Sequence, residues 1–383
     1  MLNSLLVKNY IFNKKKFNKN LLKTKKVFHS FLHDLNNYKI PLLESYKEDY
    51  DFDFSAKTIK RFSKFKNIII IGMGGSILGA KSIYSFFGER IKKKLFFFDN
   101  LDSNLHSKFK KIADLKNSCF VVISKSGNTL ETITNLKALS PISSLKNKLV
   151  IITEIKDNDL ISIGNRLNAE IIEHKEFIGG RFSVLSEVGM FPAALMNLKV
   201  KKFKNLFRLL KNKNFLNSLI YSVSHIYTLS QQGVKNSVIL NYDSHLEDLS
   251  FWQQQLLGES LGKKGKGITP IVSTCPKDHH SLLQLYLDGP KDKIFTFFSS
   301  FKNKNNKIDS VVNAQCEATK SIFKKNKIPY RQFVFKKKDE SELGAIFTFF
   351  VLETLLLARL INVNPYDQPA VEQVKIETKK FLK

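Results

Sequence analysis

The 383-residue sequence predicts an α/β protein with two doubly wound parallel-sheet domains, flanking helices and a C-terminal helical tail. Three observations carry this reading. Short apolar runs rich in β-branched residues alternate with helical stretches, the pattern of strand–crossover–strand units. The alternation occurs in two separate sets. Several runs lead directly into Gly- or Ser/Thr-rich loops that open a helix, where backbone N–H groups collect. At about 150 residues per domain, the length suits two or three domains.

Residues 1–61 are polar and rich in Lys and Asn, and read as N-terminal helices and connections. Asn67–Ile71 is a buried parallel strand ended by Gly72. Strands at Lys94–Phe98, Cys119–Ile123, Leu149–Thr153 and Ala169–Ile172 complete a first domain over 62–185. Residues 186–231 form a helical connection. Ser237–Tyr242, Ile268–Thr274, Ile294–Ser300 and Tyr330–Phe335 define a second domain over 232–345, and 346–383 is helical. Ser124 follows one strand as Ser273-Thr274 ends another, which suggests a duplicated domain. Ala345–Ile361 resembles a membrane span, but Glu353 and Arg359 interrupt it, so a buried helix is expected. No signal peptide is expected, because Leu5–Val7 is too short for an apolar core and Lys residues follow it.

The net charge of +28 comes from 62 Lys+Arg against 34 Asp+Glu. Such an excess suits nucleic acid or an anionic membrane. Here the Lys residues are scattered and enriched together with Asn, Ile and Phe, as a coding bias would leave them, so neither partner is expected. The field still favours an anionic small molecule. Cys119, Cys275 and Cys316 are unclustered, which argues against disulfides and a cysteine zinc site and fits a reducing, cytoplasmic setting.

Five segments carry candidate chemistry. Gly72-Met73-Gly74-Gly75-Ser76-Ile77-Leu78-Gly79 turns from strand to helix. It reads as a dinucleotide loop, with Asp99 ending the next strand, as a packed turn, or as a sugar- or phosphate-binding turn using Gly75 and Ser76; Ile77 disfavours the dinucleotide. Ser124-Lys125-Ser126-Gly127-Asn128-Thr129 sets hydroxyls at a helix start, which suits a phosphate better than a helix cap alone. Gly179-Gly180-Arg181 is a tight turn whose guanidinium is free to point into a cleft, or a solvated surface turn. Glu259 falls between an apparent helix, Ser250–Leu257, and a Gly/Lys-rich loop, followed by His279-His280; adjacent histidines diverge and no third ligand is spaced for metal. Finally, Pro369 starts a helix on which Gln368 and Lys375 stand two turns apart, near enough in phase to face one cleft, unless Lys375 is an ordinary surface lysine.

In this order, across residues 72–375, the five segments resemble the glucose-6-phosphate isomerase family. The resemblance implies two sugar-isomerase (SIS) domains of flavodoxin-like type and an aldose–ketose shift in a 6-phosphate sugar, with neither cofactor nor metal. It implies Glu259 as the base, Arg181 for the enediolate charge, and His280 with Lys375 for ring opening. Ser124, Lys125, Ser126 and Thr129 would hold the phosphate, with Gly75, Ser76 and Gln368 at the sugar. Family members are usually dimers with shared sites, so the resemblance leaves His280 acting either in its own chain or in the partner's site. Asn128, Ala370 and Val374 depart from the family pattern, and the chain is short for the family. An isomerase for another sugar phosphate, such as mannose 6-phosphate, and a non-catalytic sugar-phosphate sensor remain as alternatives.

Overall fold

Ile68, Ile69, Ile70 and Ile71 are each 0% exposed, with alternate side chains in different hydrophobic clusters. A strand buried on both faces needs parallel neighbours and helices above and below. The computed structural model supplies them; it describes residues 6–9, 14–112, 114–139, 142–300 and 306–382.

In chain order the elements are β1 (Leu6–Asn9), α1 (Lys14–Asn36), α2 (Ala56–Ser63), β2 (Asn67–Gly72), α3 (Gly75–Phe87), β3 (Lys94–Phe98), α4 (Ser103–Ile112), β4 (Ser118–Ile123), α5 (Leu130–Leu139), β5 (Leu149–Thr153), α6 (Asp159–Leu167) and β6 (Glu170–Glu173). They continue with α7 (Glu187–Leu195), α8 (Leu206–Leu210), α9 (Lys213–Ser230), β7 (Asn236–Asn241), α10 (Glu247–Leu261), β8 (Thr269–Thr274), α11 (Leu283–Asp288), β9 (Lys293–Ser300), α12 (Lys307–Lys325), β10 (Tyr330–Phe335), α13 (Glu340–Ile361) and α14 (Pro369–Phe381).

The first sheet is all parallel, ordered β3-β2-β4-β5-β6, with Ile70 opposite Phe97 on one side and Val121 on the other. This is the flavodoxin-like order, in which ligands sit beyond the strand C-termini at the point where the order reverses. The second sheet, read as β8-β7-β9-β10-β1, repeats the order for four parallel strands. Its fifth strand, β1, pairs antiparallel with β10, Leu6 opposite Val334. The sequence reading had placed only helices and connections there. The repeat supports duplication but changes its register: β4, which leads into Ser124, corresponds to β9, whereas Ser273-Thr274 end β8, the counterpart of β3.

Two helices join the halves. α13 is buried along nearly its whole length, as expected of a core helix, and Glu353 within it pairs with fully buried Arg331. α3 from the first half packs on α10 from the second. There Ser82 Oγ donates to the Asp248 carbonyl at 2.9 Å, and Lys81 bridges Asp99 at 2.8 Å and Asp248 at 3.7 Å. The candidate site lies on this seam.

Candidate active site

The turn Gly180–Leu185 carries Arg181, and α3 begins against it. A Cβ on Gly75 would stand 2.2 Å from the Gly180 carbonyl carbon, so only glycine permits the approach. Arg181 is 3% exposed, and its donors reach α10 and the segment that joins α13 to α14. Nε donates to Ser260 Oγ at 3.0 Å, Nη1 to Gln368 Oε1 at 3.0 Å, and Nη2 to the carbonyls of Pro365 at 2.5 Å and Asp367 at 3.0 Å. Nη1 also lies 2.7 Å from Glu259 Oε1. Burial lowers the Arg181 pKa and the Glu259 carboxylate opposes that shift. A guanidinium stays charged under such perturbation. Arg181 is therefore clamped into the seam, not held free by an open turn as the sequence suggested.

Glu259 sits in the last turn of α10, which continues past Leu257 to Leu261. The sequence reading had it in a loop. Gly258 packs on Pro270 and Ser260 is fully buried under Arg181, and these tertiary contacts carry the helix through two residues with weak helix preference. Gln255, one turn earlier, donates Nε2 to Glu259 Oε2 at 3.0 Å, and its Nε2 stands over Gly74. Gln255 Oε1 is buried with no hydrogen-bond partner among the described residues. A cavity of about 760 Å³ opens on a neighbouring face of α10, walled by Gly258, Leu261, Gly262, Leu357 and Leu360; neither Arg181 nor Glu259 lines it.

Beyond β4, Ser124 Oγ and Thr129 Oγ1 are 2.8 Å apart, and α5 starts just after Thr129, whose carbonyl accepts the Ile133 N–H. Gly127 has φ +70°, and a Cβ there would meet Asn158 Oδ1 at 2.0 Å. Ser126 Oγ accepts the Asn128 N–H at 3.3 Å, and Asn128 Oδ1 accepts that of Asp159 at 2.9 Å. The loop is thus pinned, with its hydroxyls and the unpaired N–H groups of a helix start together. Lys125 leans away: Nζ donates to the Glu176 carbonyl at 2.6 Å and lies 3.6 Å from Glu154. Ser76 is buried in the first turn of α3, beside Gly72. Ile77 is fully buried and Asp99 is paired with Lys81.

Two predicted residues, His280 and Lys375, are not among the contacts of Arg181. α10 runs antiparallel to β8, since Glu247 accepts from Thr274 and Gln254 donates to the Pro270 carbonyl. His280 follows the Thr274 end and is exposed, whereas Glu259 stands at the other end of α10, about 18 Å along at ~1.5 Å per residue. His279 is instead held by Tyr242, Nε2 to Oη 2.7 Å. Lys375 is 59% exposed and pairs with Glu372 at 2.5 Å, while Gln368 reaches Arg181.

The sequence profile described as phosphoglucose isomerase matches residues 51–275, more than half of the chain. The chain belongs to the phosphoglucose isomerase family. It is 34% identical over 352 residues to the glucose-6-phosphate isomerase of Methanocaldococcus jannaschii, covering 85% of this chain and 87% of that protein. It is 30% identical over 368 residues to that of Campylobacter jejuni, covering 86% and 88%. The crystal structure of a glucose-6-phosphate isomerase from Chlamydia trachomatis superposes with a TM-score of 0.75 at 19% identity, over 85% of this chain and 72% of that one, a likeness of fold.

Against this family background, sequence reasoning missed two groups of residues. Gln255 was legible as the residue one helical turn before Glu259 on the same face. Pro365 and Asp367, which hold Arg181 by their carbonyls, gave no signal, because backbone acceptors carry no side-chain signature. Among the described residues no three His, Cys, Asp or Glu side chains are grouped as metal ligands.

Proposed function

We infer that this chain interconverts glucose 6-phosphate and fructose 6-phosphate, as its family membership indicates, and that it does so by proton transfer through a cis-enediol. The observation that supports the mechanism best is the pair of Glu259 and Arg181 on the domain seam at 2.7 Å. Moving a proton between C1 and C2 takes one carboxylate that reaches both carbons, and Glu259 is that base. The enediolate oxygen it creates needs a fixed cation, already oriented, and Arg181 is that cation. Ser124, Ser126 and Thr129 hold the 6-phosphate at the start of α5, with Lys125 adding charge at longer range, and Gly75, Ser76 and Gln368 border the sugar.

Ring opening is assigned to His280 and Lys375, both exposed and neither in contact with Arg181 in the chain. Their exposure, with that of Val371, Val374 and Phe381 along α14, supports a homodimer in which each copy completes the other's site. The setting proposed is cytoplasmic, in glycolysis and gluconeogenesis. A coupled assay tests the function: fructose 6-phosphate yields glucose 6-phosphate with EDTA present, and mannose 6-phosphate, run as the control, is the poorer substrate. Turnover lost on chelation, or preference for mannose 6-phosphate, contradicts the reading.

A further inference from the structure

We propose that Tyr46 and Lys204 are positioning residues for Arg181, acting through the backbone of its turn; the proposal rests on the reading of Arg181 as the enediolate partner. The turn Gly180–Leu185 is a six-residue 3₁₀ segment. Such segments have poor hydrogen-bond geometry and do not fix themselves. On one side Gly75 sets a limit of approach. On the other the turn is held at two carbonyls by residues distant in sequence. Tyr46 Oη donates to the Phe182 carbonyl at 2.8 Å, one residue past Arg181. Lys204 Nζ donates to the Leu185 carbonyl at 2.8 Å, the last residue of the turn, and to the Ser45 carbonyl at 2.5 Å, next to Tyr46.

These contacts belong to a strap formed by residues 41–54. Leu43 and Tyr46 are fully buried in it, so the hydroxyl has a fixed origin. Lys204 Nζ lies over the rings of Tyr50 and Phe52, at 4.2 and 4.4 Å from their centroids. Tyr50 Oη donates to Glu187 at 2.9 Å, and the Asp53 N–H donates to the same carboxylate at 3.2 Å, tying the strap to the helix that follows the turn. The strap is also anchored elsewhere, Asp53 accepting the Glu173 N–H and Glu48 those of Phe207 and Arg208, but its ties around the turn end on residues 182–187 and none of them is to the guanidinium. The strap sets where the Arg181 Cα stands, and the Ser260, Pro365, Asp367 and Gln368 acceptors then aim its side chain. A cation that must meet charge as it develops needs this support, and misplacement by about 1 Å can cost ~10²-fold in rate.

The test is a double-mutant comparison. Tyr46→Phe keeps the buried ring and removes only the hydroxyl. It is expected to lower kcat about tenfold and leave KM within about twofold, since the affected interaction is made in the transition state. In an Arg181→Ala background the same substitution is expected to change kcat less than about twofold, because residues acting through one group are not additive. Lys204→Met is expected to behave likewise. A second readout does not depend on turnover: the Arg181 Nε–H resonance, assigned by its disappearance in Arg181→Lys, shifts in Tyr46→Phe protein with wild-type circular dichroism. An unmoved resonance with unchanged kcat overturns the proposal, as does an equal loss of kcat in the Arg181→Ala background. Wild-type kcat in Arg181→Ala, with the resonance still shifting in Tyr46→Phe, would instead remove the enediolate role and leave the strap in place.

Discussion

Arg181 Nη1 lies 2.7 Å from Glu259 Oε1 across the seam between the two sheets, although Arg181 follows the last strand of one sheet and Glu259 stands in a helix between strands of the other. Neither is an ordinary surface charge: Arg181 is buried and Glu259 is a quarter exposed. Arg181 also serves Ser260, Gln368 and two backbone carbonyls. A lysine has one nitrogen and cannot span these partners. Arg181→Lys is therefore expected to lower kcat by about 10²–10³-fold, the range for losing a preorganised donor at a developing oxyanion. Steady-state kinetics on fructose 6-phosphate measures it, and a loss under tenfold would show that charge alone suffices.

Gly75→Ala tests the close approach of α3 to the Arg181 turn. The new methyl would stand 2.2 Å from the Gly180 carbonyl carbon, and backbone cannot yield as a side-chain tip does. Overpacking of this kind costs about 1–3 kcal/mol. Denaturant unfolding should show that loss, accompanied by a larger fall in kcat than in unfolding midpoint. Wild-type kcat would mean that Arg181 tolerates displacement.

The phosphate loop separates affinity from stability. Ser124 and Thr129 bond to each other at 2.8 Å, so removing both hydroxyls together leaves neither without its partner. The double variant Ser124→Ala/Thr129→Ala is expected to keep its unfolding midpoint and weaken substrate binding, with about 1.5–3 kcal/mol for each hydrogen bond lost to the phosphate. Competitive inhibition by a 6-phosphate sugar analogue reads the affinity, and an unchanged inhibition constant would reduce the loop to a helix cap.

Lys204 gives a pH signature. Burial pushes its ammonium down to about 7, with Glu187 opposing, below the ~10.4 of an unfolded chain. Between about pH 7 and 10 the unfolded state therefore binds more protons, and unfolding free energy rises with pH by up to ~1.4 kcal/mol per unit from this group. Denaturant titrations at pH 7.5 and 9.5 should show that rise in wild type and a smaller one in Lys204→Met. Equal rises would mean that Lys204 keeps its proton in place.

The two sheets were legible because parallel strands buried on both faces must be written as continuous apolar runs, and Ile68–Ile71 is such a run. The close approach at Gly75 and the hydroxyl pair of Ser124 and Thr129 were legible because each lies in one contiguous segment: a glycine that backbone contact demands, and hydroxyls clustered at a helix start. What was hidden is non-local. Leu6–Asn9 is a strand only because β10 lies beside it. Glu259 remained helical because Pro270 and Arg181 hold its neighbours. Tyr46 and Lys204 reach the Arg181 turn from outside it, and the tyrosine acts across 136 positions of sequence.

Exchange of the C2 proton of the sugar phosphate with deuterated solvent tests the assignment of Glu259 as the base most directly. Glu259→Gln keeps the shape and the contact with Gln255 within reach but cannot accept the proton. In folded Glu259→Gln protein, exchange should vanish for cyclic fructose 6-phosphate and equally for an open-chain sugar phosphate. His280→Ala, by contrast, should slow the cyclic substrate by about 10²–10⁴-fold, as loss of one acid–base group does, and largely spare exchange in the open chain. Exchange retained in Glu259→Gln would contradict the proton-transfer mechanism proposed for this site.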